Sequence, residues 1–519
     1  MLTYQQRISA FKNRHGIGRG VRSPKFGQRS FPGGQLNRLT NDWNPQVTTG
    51  DAEVRFDIVS LRARSRELER ADPLMKRWLS CLEKNVLKNG TGFNLQNKAM
   101  NPDHSPDFLA NIKIEEAFKE WCLKKNCTEN GEESFYEVCR LTLRSAARDG
   151  GFMLRKIINP KVNDFGFALR MIEIDYLDVN YNGWVGNNRV IMGVEQNEFG
   201  KPIAYWLLGA HPGDMLIGSR VLNRIRVPAN EIIHYFVKER STQCIGVPWA
   251  APAMLRMHHL EQYEIAELVA SRAAANKGGY FTSERGDLYP GENEQTVDPV
   301  TGETIAGPTF NDSGPGTNDQ LPPGMSFVPY DPTHPTQQYG DFTRDAKLSI
   351  ATGLDVSYAT LVGDLTKSSF SSMRTGWLDE HESYKKMQSH MIEHLCLEIF
   401  EPWLEVALSG GAVNLPISKF QQFNKPMFKG RKWPWVDPLK DVQAKLLEAA
   451  GGLTTLDAII DQSDSDMDLE QTFDQMKYEN DLKARKKLYF TNPMAAAVSG
   501  AKLTSTPEHV PEDAATAGG

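Results

Sequence analysis

The sequence predicts an α+β fold that is mainly helical. Three observations carry this. Long segments repeat apolar residues at spacings of three and four, the period of one helix face, most plainly at Trp377, Tyr384, Met387, Met391, Leu395 and Ile399. Between residues 152 and 240 the pattern changes to short apolar runs separated by turn residues, which is how strands read. The chain has 519 residues, 40% hydrophobic and 24% charged, ordinary globular values for roughly two to four packed units.

The elements follow in order. Residues 1–41 hold eight basic residues (Arg7, Lys12, Arg14, Arg19, Arg22, Lys25, Arg29 and Arg38) and no acid, among many Gly, Ser and Pro. With no apolar period, residues 1–54 read as a flexible basic arm, either a plain solvated tail or a contact for nucleic acid or an acidic surface. Helical pattern runs from Phe56 to Lys88 and breaks at Asp72-Pro73, a cap followed by proline in the first turn. One helix is thus expected to end near Glu69 and a second to run from Pro73 to Lys88. A strand is expected over Gly92–Gln96 and a helix over Ile114–Lys125. Ser134-Phe-Tyr-Glu137 has the form of a capping box, and Gly150-Gly151 stops the helix it opens. Strands are expected at Phe152–Ile158, Ala168–Ile174, Val190–Gln196, Ile203–Leu208 and Glu231–Val237, with a hairpin turn at Asn197–Gly200.

A long helix is predicted from Pro248 to Lys277. Residues 282–326 carry eight acids (Glu284, Asp287, Glu292, Glu294, Asp298, Glu303, Asp312 and Asp319) against one base, Arg285, in a loop-rich, Gly/Pro-dense insertion. Helix resumes over Pro335–Thr352, breaks across 353–371, and continues as the longest helix, Ser372–Ser409, bent or interrupted at Pro402. Further helices fit Lys440–Ala450 and Leu469–Lys487, and the Ala/Thr/Pro-rich tail 491–519 reads as disordered.

Bulk chemistry narrows the function. Net charge is −6, so the chain does not have the basic surface of a protein that grips nucleic acid everywhere; any DNA contact must be local. The six cysteines (Cys81, Cys122, Cys127, Cys139, Cys244 and Cys396) form no C-x-x-C pair and read as reduced thiols in a cytoplasmic compartment. No apolar run approaches the ~18–20 residues that a membrane span needs, and the N-terminus lacks a signal peptide's apolar core.

Motifs for chemistry are weak. His390-Met-Ile-Glu393-His394 fits H-x-x-E-H, and a helix would put both histidines on one face, but no third zinc ligand is evident. The plainer reading is two histidines on an amphipathic helix. Asp464, Asp466 and Asp468 alternate like an EF-hand loop, yet Leu469 and Gln475 stand where Gly and Glu are needed. There is no G-x-x-x-x-G-K-[ST], Gly16-Ile-Gly18-Arg-Gly20 lacks dinucleotide-site spacing, and no nucleophile elbow occurs. His258-His259, on the helix from 248, are more simply exposed or interfacial. The sequence therefore predicts no enzyme, no cofactor and no metal.

An ordered series of motifs points to one family. Leu61-Arg-Ala-Arg-Ser-Arg-Glu-Leu68 precedes the helix at Pro73. Val247-Pro-Trp249-Ala-Ala-Pro252 leads into Glu261-Gln-Tyr263-Glu-Ile-Ala-Glu-Leu-Val269. Ile350-Ala-Thr-Gly353-Leu-Asp-Val-Ser-Tyr358 is followed by Leu361-Val-Gly-Asp364-Leu-Thr-Lys367 and Ser369-Phe370-Ser371-Ser372-Met373-Arg374. Trp433-Pro-Trp435-Val-Asp437-Pro438 and Gly452-Leu-Thr-Thr-Leu456 close the series. Across roughly residues 55–490 this resembles the lambda-type portal proteins of tailed bacteriophages, with Phe370 and Met373 where the family's Y-S-S-A-R has Tyr and Ala.

The resemblance implies a homo-oligomeric ring of about twelve subunits, a dodecamer with closed symmetry, around a DNA channel at one capsid vertex. It implies a wing at 55–247, stem helices at 248–279 and 333–354, and a clip at 280–332. A channel loop would lie at 355–371, a long wing helix and following segment at 372–436, and a crown at 437–490. It implies double-stranded DNA, the terminase large subunit, head-completion and tail-connector proteins, and major capsid and scaffolding proteins as partners. The location would be the virion, with assembly in the host cytoplasm and no membrane. Asp364, Leu365, Thr366, Lys367, Ser368 and Ser369 would line the narrowest channel, with Lys367 touching phosphates transiently; a local Lys367–Asp364 pair is the alternative. The alternatives to the whole reading are a zinc hydrolase built on His390, Glu393 and His394, and a non-portal capsid assembly protein.

Overall fold

The computed structural model describes residues 47–214, 223–275, 279–283, 296–297, 301, 304–305, 325–329, 339–366, 369–433, 438–462 and 469–486. The basic arm to residue 46, most of the acidic insertion, Lys367, Ser368, the Asp464–Asp468 run and the tail 491–519 lie outside the described residues.

The first helices are α1 (Gly50–Val54), α2 (Ile58–Ala71) and α3 (Pro73–Val86). Asp72 separates the last two as expected: its Oδ1 accepts from the amides of Leu74 at 2.7 Å and Met75 at 2.9 Å, with Pro73 in the first turn. Met75, Trp78, Leu79, Leu82 and Val86 form the buried stripe of α3. Strand β1 (Asn94–Asn97) leads to α4 (Phe108–Trp121), α5 (Lys124–Cys127) and α6 (Phe135–Asp149). The helix expected over 114–125 starts earlier, where the Asp107 carboxylate accepts from the Ala110 amide, and ends before the extended backbone at Leu123. The capping box is present, with Glu137 returning to the Ser134 amide at 2.8 Å. Gly150 closes α6 at φ +86°, and a Cβ there would stand 2.6 Å from the Gly246 carbonyl oxygen.

The strands are β2 (Phe152–Ile158), β3 (Phe167–Ile172), β4 (Gly183–Val185), β5 (Asn188–Ile191), β6 (Val194–Gln196), β7 (Pro202–Leu208), β8 (Arg224–Pro228) and β9 (Ile232–Tyr235). They form a three-stranded antiparallel sheet, β3-β2-β9, and a five-stranded meander, β4 to β8. The single strand expected over 190–196 is two: Met192 and Gly193 have φ of +46° and +78° and turn β5 back onto β6. The short strands β4 and β8 are not among those the sequence predicts.

Helix α7 (Ala251–Ala275) is followed by β10 (Gly279–Ser283), β11 (Thr296–Val297), β12 (Thr304–Ile305) and β13 (Met325–Pro329), with β10 pairing β13 and β11 pairing β12. Helix α8 (Tyr339–Gly353) returns antiparallel along α7; Tyr263 meets Phe342 with ring centroids 5.0 Å apart, and Lys347 meets Glu264 at 2.9 Å. The segment 353–371 is not a plain break, because it contains α9 (Tyr358–Val362). The longest helix is α10 (Phe370–Met391), a π turn over Ile392–Cys396, and α11 (Leu397–Ser409). The irregularity falls at the π turn, where the Leu397 amide reaches back to the Ile392 carbonyl; Pro402 sits inside α11. The remaining elements are α12 (Phe420–Phe423), β14 (Pro426–Lys429, paired with β1), α13 (Pro438–Ala450), α14 (Leu456–Gln462) and α15 (Leu469–Lys486).

The main core joins α3, α4, α6, α10 and α11 around Trp78, Phe118, Trp121, Phe400 and Trp403; Phe118 and Trp403 meet edge to face at 4.9 Å. A second cluster under the meander includes Ile58, Met153, Ile174, Met192, Val194 and Ile245.

Candidate functional site

The described residues that follow α9 stand on a tightly built base. At the end of α8, the buried Leu354 offers its carbonyl to Trp78 Nε1 at 3.2 Å. Asp355 then takes φ +56°, and its carboxylate accepts from Ser383 Oγ at 2.9 Å. That left-handed residue turns the chain off α8 and into α9. Ser357 caps α9 by accepting from the Thr360 amide at 3.1 Å, and Gly363 ends it at φ +81°.

Glu380 on α10 fixes this piece. Its side chain is buried, and it accepts from the Ser357 amide at 3.3 Å, the Thr360 hydroxyl at 2.9 Å and the Tyr384 hydroxyl at 3.3 Å. Burial, with Glu380 beside it, pushes the Tyr384 hydroxyl far above its ordinary pKa, so it remains a donor. From the other side Arg77 Nε donates to the Thr360 carbonyl at 3.3 Å, and Leu361 is buried. Helix α9 is thus held between α3 and α10.

The stretch past α9 starts at Gly363. Asp364 accepts from the amide and hydroxyl of Thr366 at 3.0 and 2.6 Å, which closes a local turn. Leu365 is 53% exposed. Of the predicted loop residues, Asp364, Leu365 and Thr366 follow α9 as one turn and Ser369 precedes α10, where its carbonyl accepts from the Met373 amide; Lys367 and Ser368 lie outside the described residues.

The arginine-rich stretch at 61–68 has a structural role that sequence did not reveal. Arg62 is 3% exposed; its Nε donates to the Asp149 carbonyl at 3.0 Å and its Nη1 lies 3.4 Å from Asp175. Arg66 bridges Asp149 at 2.8 Å and Asp175 at 2.5 Å. Glu69 meets Arg144 at 2.6 Å and Arg148 at 2.9 Å, and Glu83 meets Arg144 at 2.6 Å. Burial raises the Glu69 pKa, but Arg148 and Arg144 outweigh it and hold the carboxyl below its usual value. These charges clamp α2 and α3 to α6 and to the turn at Asp175.

The histidine motif does not assemble a metal site. His390 Nδ1 lies 3.1 Å from the Tyr235 hydroxyl, and His394 packs with ring centroids 4.3 Å away, inside the π turn. Burial first, and His394 second, push the His390 pKa down to about 4. Among the described residues, the group of three potential ligands within reach of one ion is elsewhere: Glu173, Asp175 and His211. There the Gly213 amide donates to His211 Nδ1 at 3.1 Å, which leaves the proton on Nε2 facing Glu173 at 3.3 Å. A metal at Nε2 would need the other tautomer.

Comparison with known proteins adds the family. The model of the lambda family of phage portal proteins matches residues 36–388. A relative from Halomonas phage phiHAP-1, named "Probable portal protein", is 34% identical over 481 residues, 92% of this chain and 90% of the relative. Among solved structures, a chain in the neck of an empty gene transfer agent particle, computed with C6 symmetry, gives a TM-score of 0.44 at 14% identity, covering 81% of this chain and 96% of that one. A chain in the neck of the native particle, computed with C12 symmetry, gives 0.41 at 12% identity, with 78% and 92% covered. With the family model spanning 36–388 and one relative aligned over nearly its whole length, the chain belongs to the lambda family of phage portal proteins.

Proposed function

We propose that copies of this chain close into a ring at one vertex of a phage capsid, and that duplex DNA passes through its hole during packaging and ejection. In this reading α7 and α8 form the stem, the segment between them the clip, residues 55–247 and 372–436 the wing, and 437–490 the crown. Gly363–Ser369 faces the hole. The terminase motor docks on the acidic clip during packaging, and head-completion proteins replace it afterwards.

The observation that carries the loop assignment is its mounting: an exposed turn at Asp364–Thr366 stands on a base held by the buried Glu380 carboxylate. A loop that meets a moving polymer must keep its place at the root and yield at the tip. A net charge of −6 supports the same reading, since many fixed phosphate contacts would hold DNA with a steep salt dependence and stall it. Closed symmetry repeats Lys367 around the hole, so one side chain per subunit makes a ring of charge.

The test is Lys367→Glu in the full chain. Rings should form as in the unmodified protein, while the DNA packaged per particle falls. Rings that package normally would remove the loop from the channel.

A further inference from the structure

Asn-Gly occurs three times in the chain, at 89–90, 130–131 and 182–183. This pair is prone to a reaction that needs no enzyme, in which the glycine amide nitrogen attacks the carbonyl carbon of the asparagine side chain. Glycine leaves that approach open because it has no side chain. The asparagine side chain must be able to turn back over its own backbone, and the glycine amide must be unbound. The structure meets both conditions at one site and withholds them at the other two.

At Asn130 both ends of the side chain are engaged: Oδ1 accepts from the Glu132 amide and Nδ2 donates to Glu132 Oε2, each at 3.3 Å. The attacking atom is engaged too, since the Gly131 amide donates to the Thr128 carbonyl at 3.1 Å. At Asn182, Oδ1 accepts from the Met192 amide at 3.0 Å and Nδ2 donates to the Asn180 carbonyl at 3.2 Å. Gly183 is the first residue of β4 and pairs with Val190 on β5. Asn89 differs. It is exposed in the turn between α3 and β1, and among the described residues neither its side chain nor the Gly90 amide has a hydrogen-bond partner. Gly90 has φ +82°, and a Cβ there would meet no atom within 4 Å. The turn is closed at its ends, where the Lys88 amide donates to the Gly92 carbonyl at 3.0 Å and the Gly92 amide to the Lys88 carbonyl at 2.9 Å.

We propose that Asn89 is a site of spontaneous deamidation in the folded protein. The Gly90 nitrogen forms a bond to Asn89 Cγ and gives its proton to water; the Cγ–Nδ2 bond breaks, and ammonia leaves. Water then opens the cyclic imide at either carbonyl, which yields aspartate or isoaspartate. An uncharged side chain becomes a carboxylate, and in isoaspartate the main chain runs through Cβ and is one carbon longer. That carbon falls between Lys88 and Gly92 and parts the two bonds that close the turn. The new charge stands beside a groove of about 920 Å³ that Gly90 and Thr91 line with Phe93, Phe118, Phe135 and Arg140. The inference is independent of the ring reading.

The test follows the unmodified full-length chain in mildly alkaline buffer. Samples are digested at low pH, where ring closure is slow, and mapped by mass spectrometry; isoaspartate is labelled with the methyltransferase specific for it. The peptide holding Asn89 should exchange its side-chain NH2 for OH, and take the label, at least about tenfold faster than those holding Asn130 and Asn182, because each of these must first break two or more hydrogen bonds. In urea, where those bonds are lost, the three rates should converge. As the reaction proceeds, the Gly92 amide should exchange hydrogen faster while the Gly131 amide stays unchanged. Asn89→Gln should remove the fast phase. A folded chain in which the three sites react alike, in which Asn130 or Asn182 reacts first, or in which Asn89 stays intact would overturn the proposal. So would rates in urea that keep the folded order, since sequence rather than structure would then choose the site.

Discussion

Glu380 is the residue on which the loop base depends, and its removal can be sized. In Glu380→Ala the hydroxyls of Thr360 and Tyr384 lose a carboxylate acceptor at 2.9 and 3.3 Å, and the Ser357 amide loses one at 3.3 Å. A bond to a charged partner contributes about 1.5–3 kcal/mol. The two longer contacts count least, and the mutation also relieves the desolvation of a buried carboxylate. The net local cost is therefore about 2–4 kcal/mol. Because α9 is only five residues long, Tyr358–Val362, its stability comes from these anchors rather than from its own turns. The loss should appear as local opening. The amides to watch are Leu361, which donates to the Ser357 carbonyl at 3.0 Å, and Gly363, which donates to Ala359 at 2.8 Å. A cost of about 2–4 kcal/mol corresponds to exchange faster by roughly 30- to 1,000-fold at both, read by hydrogen exchange with mass spectrometry. Amides in α6, which shares no anchor with α9, should be unchanged. Acceleration below about threefold at Leu361 and Gly363 would show that Glu380 does not hold the loop base.

Further outcomes follow from other sites. His234 is held neutral: burial, then Arg62 and Lys238, push its pKa down to about 3. A folded value below the unfolded ~6.5 means full stability above pH 6.5 and loss as pH falls, about 2 kcal/mol by pH 5; His234→Gln should flatten that dependence in urea titrations. Gly246→Ala should prevent folding, since its Cβ would lie 1.9 Å from the Gly150 carbonyl oxygen, and soluble expression reads this directly. Trp403→Ala should lower stability by about 3–5 kcal/mol in urea unfolding, because the side chain is wholly buried among Phe118, Phe165 and Phe400. Purified protein should contain no stoichiometric zinc, and chelation should leave its melting temperature unchanged; a zinc-dependent melt would revive the reading of His390 and His394 as ligands.

What the sequence made legible is mostly local. The Asp72 cap, the Ser134–Glu137 capping box and the Gly150 stop are set by residues within a few positions, and each lies where expected. The β6–β7 hairpin followed from its Asn197–Gly200 turn. The turn at Met192-Gly193 was hidden because methionine rarely takes positive φ, so nothing marked 190–196 as two strands. Helix α9 was lost in a segment rich in Gly, Asp and Ser, although Ser357 and Gly363 are its proper cap and stop. Pro402 drew attention from the π turn just upstream, for which no residue type is a signal.

The distant partners decide what each charged residue does, and these no local pattern holds. Arg62, Arg64 and Arg66 look alike in sequence, three basic residues each able to meet phosphate, although at about 100° per residue Arg64 lies on the opposite side of the helix from the other two. Arg62 and Arg66 instead reach Asp149 and Asp175, 87 and 113 positions from Arg62, and the folded chain consumes their charge. The turn at Asp364–Thr366 is a contrasting case: it is closed by bonds from Thr366 to Asp364, and Leu365 is exposed where a core would have buried it. The same contrast applies to Glu380 and Asp364. Both carboxylates accept hydrogen bonds: Glu380 on α10 accepts from Thr360, 20 positions away, whereas Asp364 accepts from Thr366, two positions on. The resemblance singled out Asp364–Ser369 from adjacent residues alone, whereas Glu380, which holds the helix just before them, lies on another element and no local pattern marks it.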